Sequence, residues 1–178
     1  RKAISLSDYE HTGMVCEPIN LLDASPVSDG AAALYLTAAP PTKDRRISVA
    51  ASSAATDTIS LQNRTNSLRL SAAEKSARIA YQQAGITPRE IGLFEYHDAF
   101  SIMAALSLEA AGFCDPGQAP RLANDGSIAL NGRIPVATMG GLKARGHPVG
   151  ATGLYQLVEV ALQLRGEAGQ TQVEAARW

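Results

Sequence analysis

Apolar and polar positions along the chain predict short strands alternating with amphipathic helices. "AAALYLTA" (31–38) is an apolar run bounded by turn residues, which predicts a buried strand. "ISVAASSAATD" (47–57) predicts another, with Ile47, Val49 and Ala51 on one face. Ser71 and Glu74 stand at capping-box spacing before a helix whose small-residue stripe, Ala73, Ala77, Ala80 and Ala84, runs until Gly85 stops it. Residues 91–96 predict a strand that carries His97 and Asp98 at its end. The helix of "AFSIMAALSLEAAG" follows, with Gly112 as its stop. "VATMGG" reads as a further short strand, and Leu154, Leu157, Val158, Ala161 and Leu164 mark one face of a last helix.

The connections are less regular. Ser7-Asp8 are candidate caps for a short amphipathic stretch, after which Pro18, Pro26 and Gly30 punctuate loop or extended chain. Residues 113–135 predict an extended loop with a small hairpin, and "EAGQTQVEAARW" holds no clear element. "APPTKDRR" (39–46) combines two prolines with a burst of charge and predicts a boundary between units. Strands alternating with helices make an α/β layered fold, in which reactive groups gather where strands end and helices begin.

Composition narrows the partners. The formal charge is −1 over 178 residues, with 46% apolar and 5% aromatic residues, so no electrostatic feature points to nucleic acid or an anionic membrane. No apolar run approaches the roughly 20 residues of a membrane-spanning helix. Two cysteines, Cys16 and Cys114, are too few for a disulfide framework, and three histidines without clustered cysteines give no metal pattern. A reducing cytoplasm is the expected setting. Neither cysteine has turn-helix surroundings that activate a thiol, so both are expected to be buried or inert.

The candidate chemistry lies in "GGLKARGHPVGATG" (140–153), where one histidine sits between glycine clusters ahead of a helix. Such glycines allow sharp turns and close approach, and the helix start offers unpaired N–H groups. A histidine held there stays neutral and can take a proton or donate to an oxyanion. The spacing matches neither G-x-x-x-x-G-K-[ST] nor G-x-G-x-x-G, which disfavours a nucleotide phosphate cradle. On pattern alone, a plain glycine turn whose histidine bonds a carbonyl fits equally well. His97-Asp98 has the same two readings, with Asp98 as the N-cap of the next helix in the blander one. His11 lies in a polar, surface-like segment and is expected to have no role.

"SPVSDGAAAL", "YHDAF" and "LNGRIPVATMGGLKARGHPVGATG", taken in order, resemble the thiolase superfamily. The branch they are most similar to is the sterol-carrier-protein-type and archaeal-type thiolases, acetyl-CoA acetyltransferases and lipid-transfer proteins of acyl and lipid metabolism. The resemblance implies two duplicated βαβαβαββ halves stacked as α-β-α-β-α layers. Residues 1–45 then correspond to the last segment of the first half, and 46–178 to the second half without its final strands. In this family a cysteine of the first half attacks acyl-CoA. The GHP histidine, here His147, activates it, and His97 takes the place of the residue that serves the second oxyanion site. Gly146, Pro148 and Gly150 would support that turn, with Phe100 and Gly141 as candidate CoA or substrate contacts. Neither Cys16 nor Cys114 matches a catalytic cysteine, so the chain alone is expected to be inactive and to carry half an active site.

What the resemblance implies for the intact protein is thiolysis of a 3-ketoacyl-CoA or Claisen condensation. Coenzyme A is a substrate there, and no other cofactor or metal is expected. Other partners would be further copies in a dimer or tetramer and a small OB-fold and zinc-ribbon protein. Two alternatives remain: a thiolase-like retro-aldolase of CoA-linked side chains, for which Tyr96 is the residue to watch, and a non-catalytic lipid-binding or scaffold homologue.

Overall fold

The computed structural model describes residues 3–38, 47–174 and 176–178, so the predicted boundary at 39–46 lies outside the described residues. A short helix, α1 (Leu6–Glu10), opens the chain. A small antiparallel pair, β1 (Met14–Cys16) and β2 (Ile19–Asn20), follows it. The α1 cap is two residues earlier than expected: Ser5, not Ser7, is the N-cap, and Asp8 is its reciprocal partner. Asn20 ties this region together, its amide donating to the carbonyls of Tyr9 and Thr12, both at 3.0 Å.

Three longer helices fall where the periodicity places them: α2 (Ser71–Ala84), α3 (Ser101–Ala110) and α6 (Thr152–Arg165). Two shorter ones, α4 (Ala119–Asn124) and α5 (Gly141–Arg145), occupy stretches expected to be loop and turn. Pro120 in the first turn of α4 loses no helical hydrogen bond there, so a segment rich in turn residues still forms a helix, not a hairpin. The α2 capping box does not form. Leu70 is the N-cap, and Glu74 instead receives Arg69 at 2.7 Å from both Nε and Nη2. Gly85 does end α2, in the left-handed conformation at φ 69°. A Cβ there would meet nothing within 4 Å. Gly85→Ala is therefore expected to cost about 1 kcal/mol from backbone strain alone, read as a small drop in the thermal midpoint.

The core gathers Leu108, Ala111, Phe113, Ala119 and Ile134, with Ile91, Phe94 and Val136 packed against it. Helix α3 lies between α2 and α4. The Tyr81 hydroxyl donates to the Ala111 carbonyl at 2.9 Å and so pins α2 to the end of α3. Phe94 meets Phe113 edge-on at 4.9 Å and stacks on Tyr96 at 5.1 Å.

The expected strands are where sequence and structure part. Residues 91–96 and 136–141 do lie side by side, but through a single parallel bridge, Phe94 to Val136. Residues 47–57 run unpaired beside α2, held by the Ser53 hydroxyl on the Ser76 carbonyl at 2.6 Å. Residues 31–38 form no ladder and leave Tyr35 91% exposed, against the expected buried strand. A strand needs a neighbour for its backbone groups, and none lies beside either segment among the described residues.

Helix α6 also differs from its predicted face. Leu154 and Leu157 are exposed, while Thr152, Glu159 and Gln163 are buried. The inward stripe is polar because Gln163 has partners inside. It donates to the Thr171 carbonyl at 2.6 Å and to Thr138 Oγ1 at 2.9 Å, and accepts from Val173 N–H at 2.8 Å.

Candidate active site

The segment before His147 folds back on itself through left-handed backbone. Ala137 (φ 45°), Gly140 (φ 102°) and Gly141 (φ 56°) turn the chain from the Phe94–Val136 bridge into α5. Gly141 lies against the Asp98 carboxylate, where an added Cβ would come within 2.8 Å of Oδ1. Buried Asp98 accepts the Leu142 N–H at 2.8 Å, which anchors α5 to the loop carrying His97. Asp98 is thus not the cap of the following helix; Phe100 holds that position.

Residues 24–28 stitch the two histidine loops together. Ala24 bridges Phe100, and Ser25 N–H donates to the Ala99 carbonyl at 2.8 Å. Two residues on, His147 N–H donates to the Pro26 carbonyl at 2.8 Å, and Val27 bridges His147. Motif segments far apart in sequence therefore meet, and the His97 and His147 rings stand edge to face with centroids 4.8 Å apart.

A hydrogen-bond chain sets the tautomer of His147. Buried Thr152, the first residue of α6, donates its hydroxyl to the Pro148 carbonyl at 3.2 Å. Its oxygen then accepts from Nδ1 of His147 at 2.7 Å. That leaves the lone pair of the neutral ring on Nε2. His97 is held below the ordinary histidine range, first by partial desolvation and then by His147; Asp98 opposes both. Two cationic rings at this separation would repel, so a neutral His97 is the state that suits the pair.

Of the other expected site residues, Gly146 and Pro148 are buried inside the turn and Gly150 is exposed at its rim. The exposed side chain of Phe100 heads α3. Residues 28–32 face 148–151 and Leu154 across an open groove of about 460 Å³. Cys114 lies against the core, where burial raises its thiol pKa. Cys16 is exposed on β1, contrary to a buried placement. Among the described residues no group of three or more His, Cys, Asp or Glu could hold a metal, and no helix is long and apolar enough to cross a membrane.

Several polar residues near the site carried no sequence signal. Lys143 donates to Ser101 Oγ at 2.5 Å, and burial lowers its pKa against the pull of Asp23 and Asp98. Arg145, Glu159 and Glu95 cluster behind the loops. Arg145 Nε lies 2.7 Å from Glu159 Oε1, and its guanidinium lies 4.6 Å from the Tyr155 ring centroid. Glu95 accepts from Thr138 N–H at 2.8 Å. Burial, and then the neighbouring Glu159 carboxylate, push the Glu95 carboxyl well above the ordinary range. Only its i, i+4 spacing from Gln163 marks Glu159, and a polar pair at that spacing reads as a solvated helix face.

Such a fold, with two histidine loops meeting beside an α/β core, defines a thiolase-type domain. Residues 53–178 match the family model described as "Thiolase C-terminal domain-like", and the chain belongs to that family. It is 46% identical to an acetyl-CoA acetyltransferase of Methanothermobacter thermautotrophicus, covering 97% of this chain and 46% of that protein. It is 34% identical to human sterol carrier protein 2, covering 97% of this chain and 33% of that one. A solved structure titled "Ltp2-ChsH2(DUF35) aldolase" shares the fold at a TM-score of 0.83 and 21% identity, over 97% of this chain and 46% of that one. The chain thus spans less than half the length of each of these relatives.

Proposed function

We propose that this chain supplies the histidine half of the active site of a thiolase-like acyl-CoA acyltransferase. The observation that carries the reading is the contact between His97 and His147, each delivered by its own motif loop. Nε2 of His147 takes the proton of a cysteine thiol supplied from outside this chain, and the thiolate attacks the acyl carbonyl of an acyl-CoA. Neutral His97 serves the oxygen of the second, enolate-forming partner. Gly146, Pro148 and Gly150 support the turn, while Phe100 and Gly141 are the candidate contacts for acyl-CoA. Residues 1–45 belong with the other half, and 46–178 form the domain described here.

The similarity to acetyl-CoA acetyltransferases at 40% and 46% identity supports acyl transfer as the reaction class. A retro-aldol reading draws on Tyr96, which lies directly before His97. Burial holds its phenol well above the ordinary range, so it would act there as a donor and not as a base. Val149 and Leu154 are exposed along the groove, which suits a surface covered by the other half in an oligomeric protein.

The chain by itself is expected to release no acetyl-CoA from acetoacetyl-CoA and CoA. Mixing it with the separately produced first half should restore thiolysis. Activity of the isolated chain overturns the divided site. A full-length protein that binds acyl-CoA without turning it over points to the non-catalytic homologue.

A further inference from the structure

Glu95 stands two residues before His97, and Arg145 two residues before His147. Arg145 pairs with Glu159 in the middle of α6 at 2.7 Å. Glu95 accepts from Thr138 at 2.8 Å, whose hydroxyl receives Gln163 one turn further along α6 at 2.9 Å. We propose that this Arg145–Glu159–Glu95 cluster is the positioning element that fixes the two histidine loops relative to each other. The proposal rests on the reading of His97 and His147 given above.

The cluster is poorly explained as a device for stability. Glu159 is 2% exposed and the Arg145 side chain 16%. Nε of Arg145 approaches Glu159 without the alignment of a hydrogen bond. Nη1, Nη2 and Glu159 Oε2 also have no hydrogen-bond partner among the described residues. Ion pairs buried with so few hydrogen bonds are commonly matched or bettered by apolar residues of similar volume. What charge provides here is direction. Arg145 is the last residue of α5 and the next residue is the Gly146 turn, so its grip on Glu159 and Tyr155 fixes where that turn starts. Thr152 holds the other end of the same loop through Nδ1 of His147. Glu95 is joined through Thr138 to the 136–141 segment and, by Gln163 on Thr138 Oγ1, to α6 one turn beyond Glu159, so the His97 loop takes its position from the same helix.

The test uses the full-length protein and the double variant Arg145→Met/Glu159→Gln, which removes both charges together and leaves no buried ion unpaired. Thermal unfolding reports whether the fold survives. The expected result is a thermal midpoint near that of the wild type, kcat for thiolysis lower by about 10²-fold through misplacement of reacting groups, and KM changed less than about threefold. NMR titration of the His97 ring should show its pKa moving up toward the ordinary value as His147 draws away, a shift that a merely structural role would not produce. A folded double variant with unchanged kcat and unchanged His97 titration overturns the proposal. If the double variant does not fold, Arg145→Lys takes its place: it keeps the charge and loses the planar fork over Tyr155. A smaller fall in kcat with the same upward His97 shift supports the proposal, and wild-type behaviour in both overturns it. If the wild type shows no thiolysis, the functional reading fails, and the His97 titration still decides whether the cluster sets the spacing.

Discussion

In the full-length protein, His147→Ala should abolish rapid alkylation of the nucleophilic cysteine by iodoacetamide, while His97→Ala should leave it nearly intact. The difference follows from the geometry of the pair. Nδ1 of His147 is committed to Thr152, so its basic nitrogen is Nε2, the atom available to draw a thiol proton. Removing it raises the thiol pKa and slows acylation, by about 10²–10⁴-fold for a lost general base. Among the described residues His97 makes no comparable commitment, and its lowered pKa keeps it a neutral donor. Its removal should depress carbon–carbon bond formation about 10²–10³-fold, the usual cost of one oxyanion donor, with acylation by acetyl-CoA preserved. Pre-steady-state acylation by acetyl-CoA, followed apart from its condensation to acetoacetyl-CoA, separates the two steps. Equal alkylation in both variants would remove His147 from the role of base. Retro-aldol cleavage that survives His147→Ala and is lost in Tyr96→Phe would replace acyl transfer by the aldolase reading.

Much of this candidate site is legible in the sequence, and the reason is local. A helix stop such as Gly85 acts through the conformation of one residue, so α2 ends where its glycine stands. The GHP turn and the HDAF segment likewise announce themselves over a few consecutive residues. Strands at 31–38 and 47–57 were not legible in the same way, because a strand is completed by a neighbour that the segment does not contain. The buried face of α6 departs from its apolar pattern for a related reason. Leu154 and Leu157 look inward by composition, yet Glu159 and Gln163 take the inner side because Arg145, Thr138 and Val173 wait there. Those partners lie 10–25 residues from them in sequence, beyond the reach of any helical period. Asp98 shows the same limit: next to α3 it resembles a cap, but its acceptor role belongs to Leu142, 44 residues away.

Gly146→Ala should be the most damaging small substitution in the turn, for two separable reasons. The backbone there sits at φ 109° and ψ 164°, a region essentially reserved for glycine, which costs an alanine about 1–3 kcal/mol. The added Cβ would also stand 2.5 Å from Ser28 Oγ and 2.9 Å from Ser28 Cβ. Ser28 cannot retreat freely, because residues 26–28 are paired with His147, its N–H on the Pro26 carbonyl at 2.8 Å. Relief of the clash therefore pulls the histidine away from its partner. The expected outcome is a loss of roughly 3 kcal/mol or more in denaturant unfolding, the sum of strain and overpacking, with activity falling further than stability at temperatures where the variant is folded. Ser28→Gly in the same molecule removes the atoms that the Cβ meets and leaves the dihedral strain. The double variant should regain the steric part alone, with a coupling energy of about 1–2 kcal/mol for residues in direct contact. If Ser28→Gly restores nothing, the damage lies entirely in the backbone of the turn, and the packing of 26–28 against Gly146 does not govern where His147 stands.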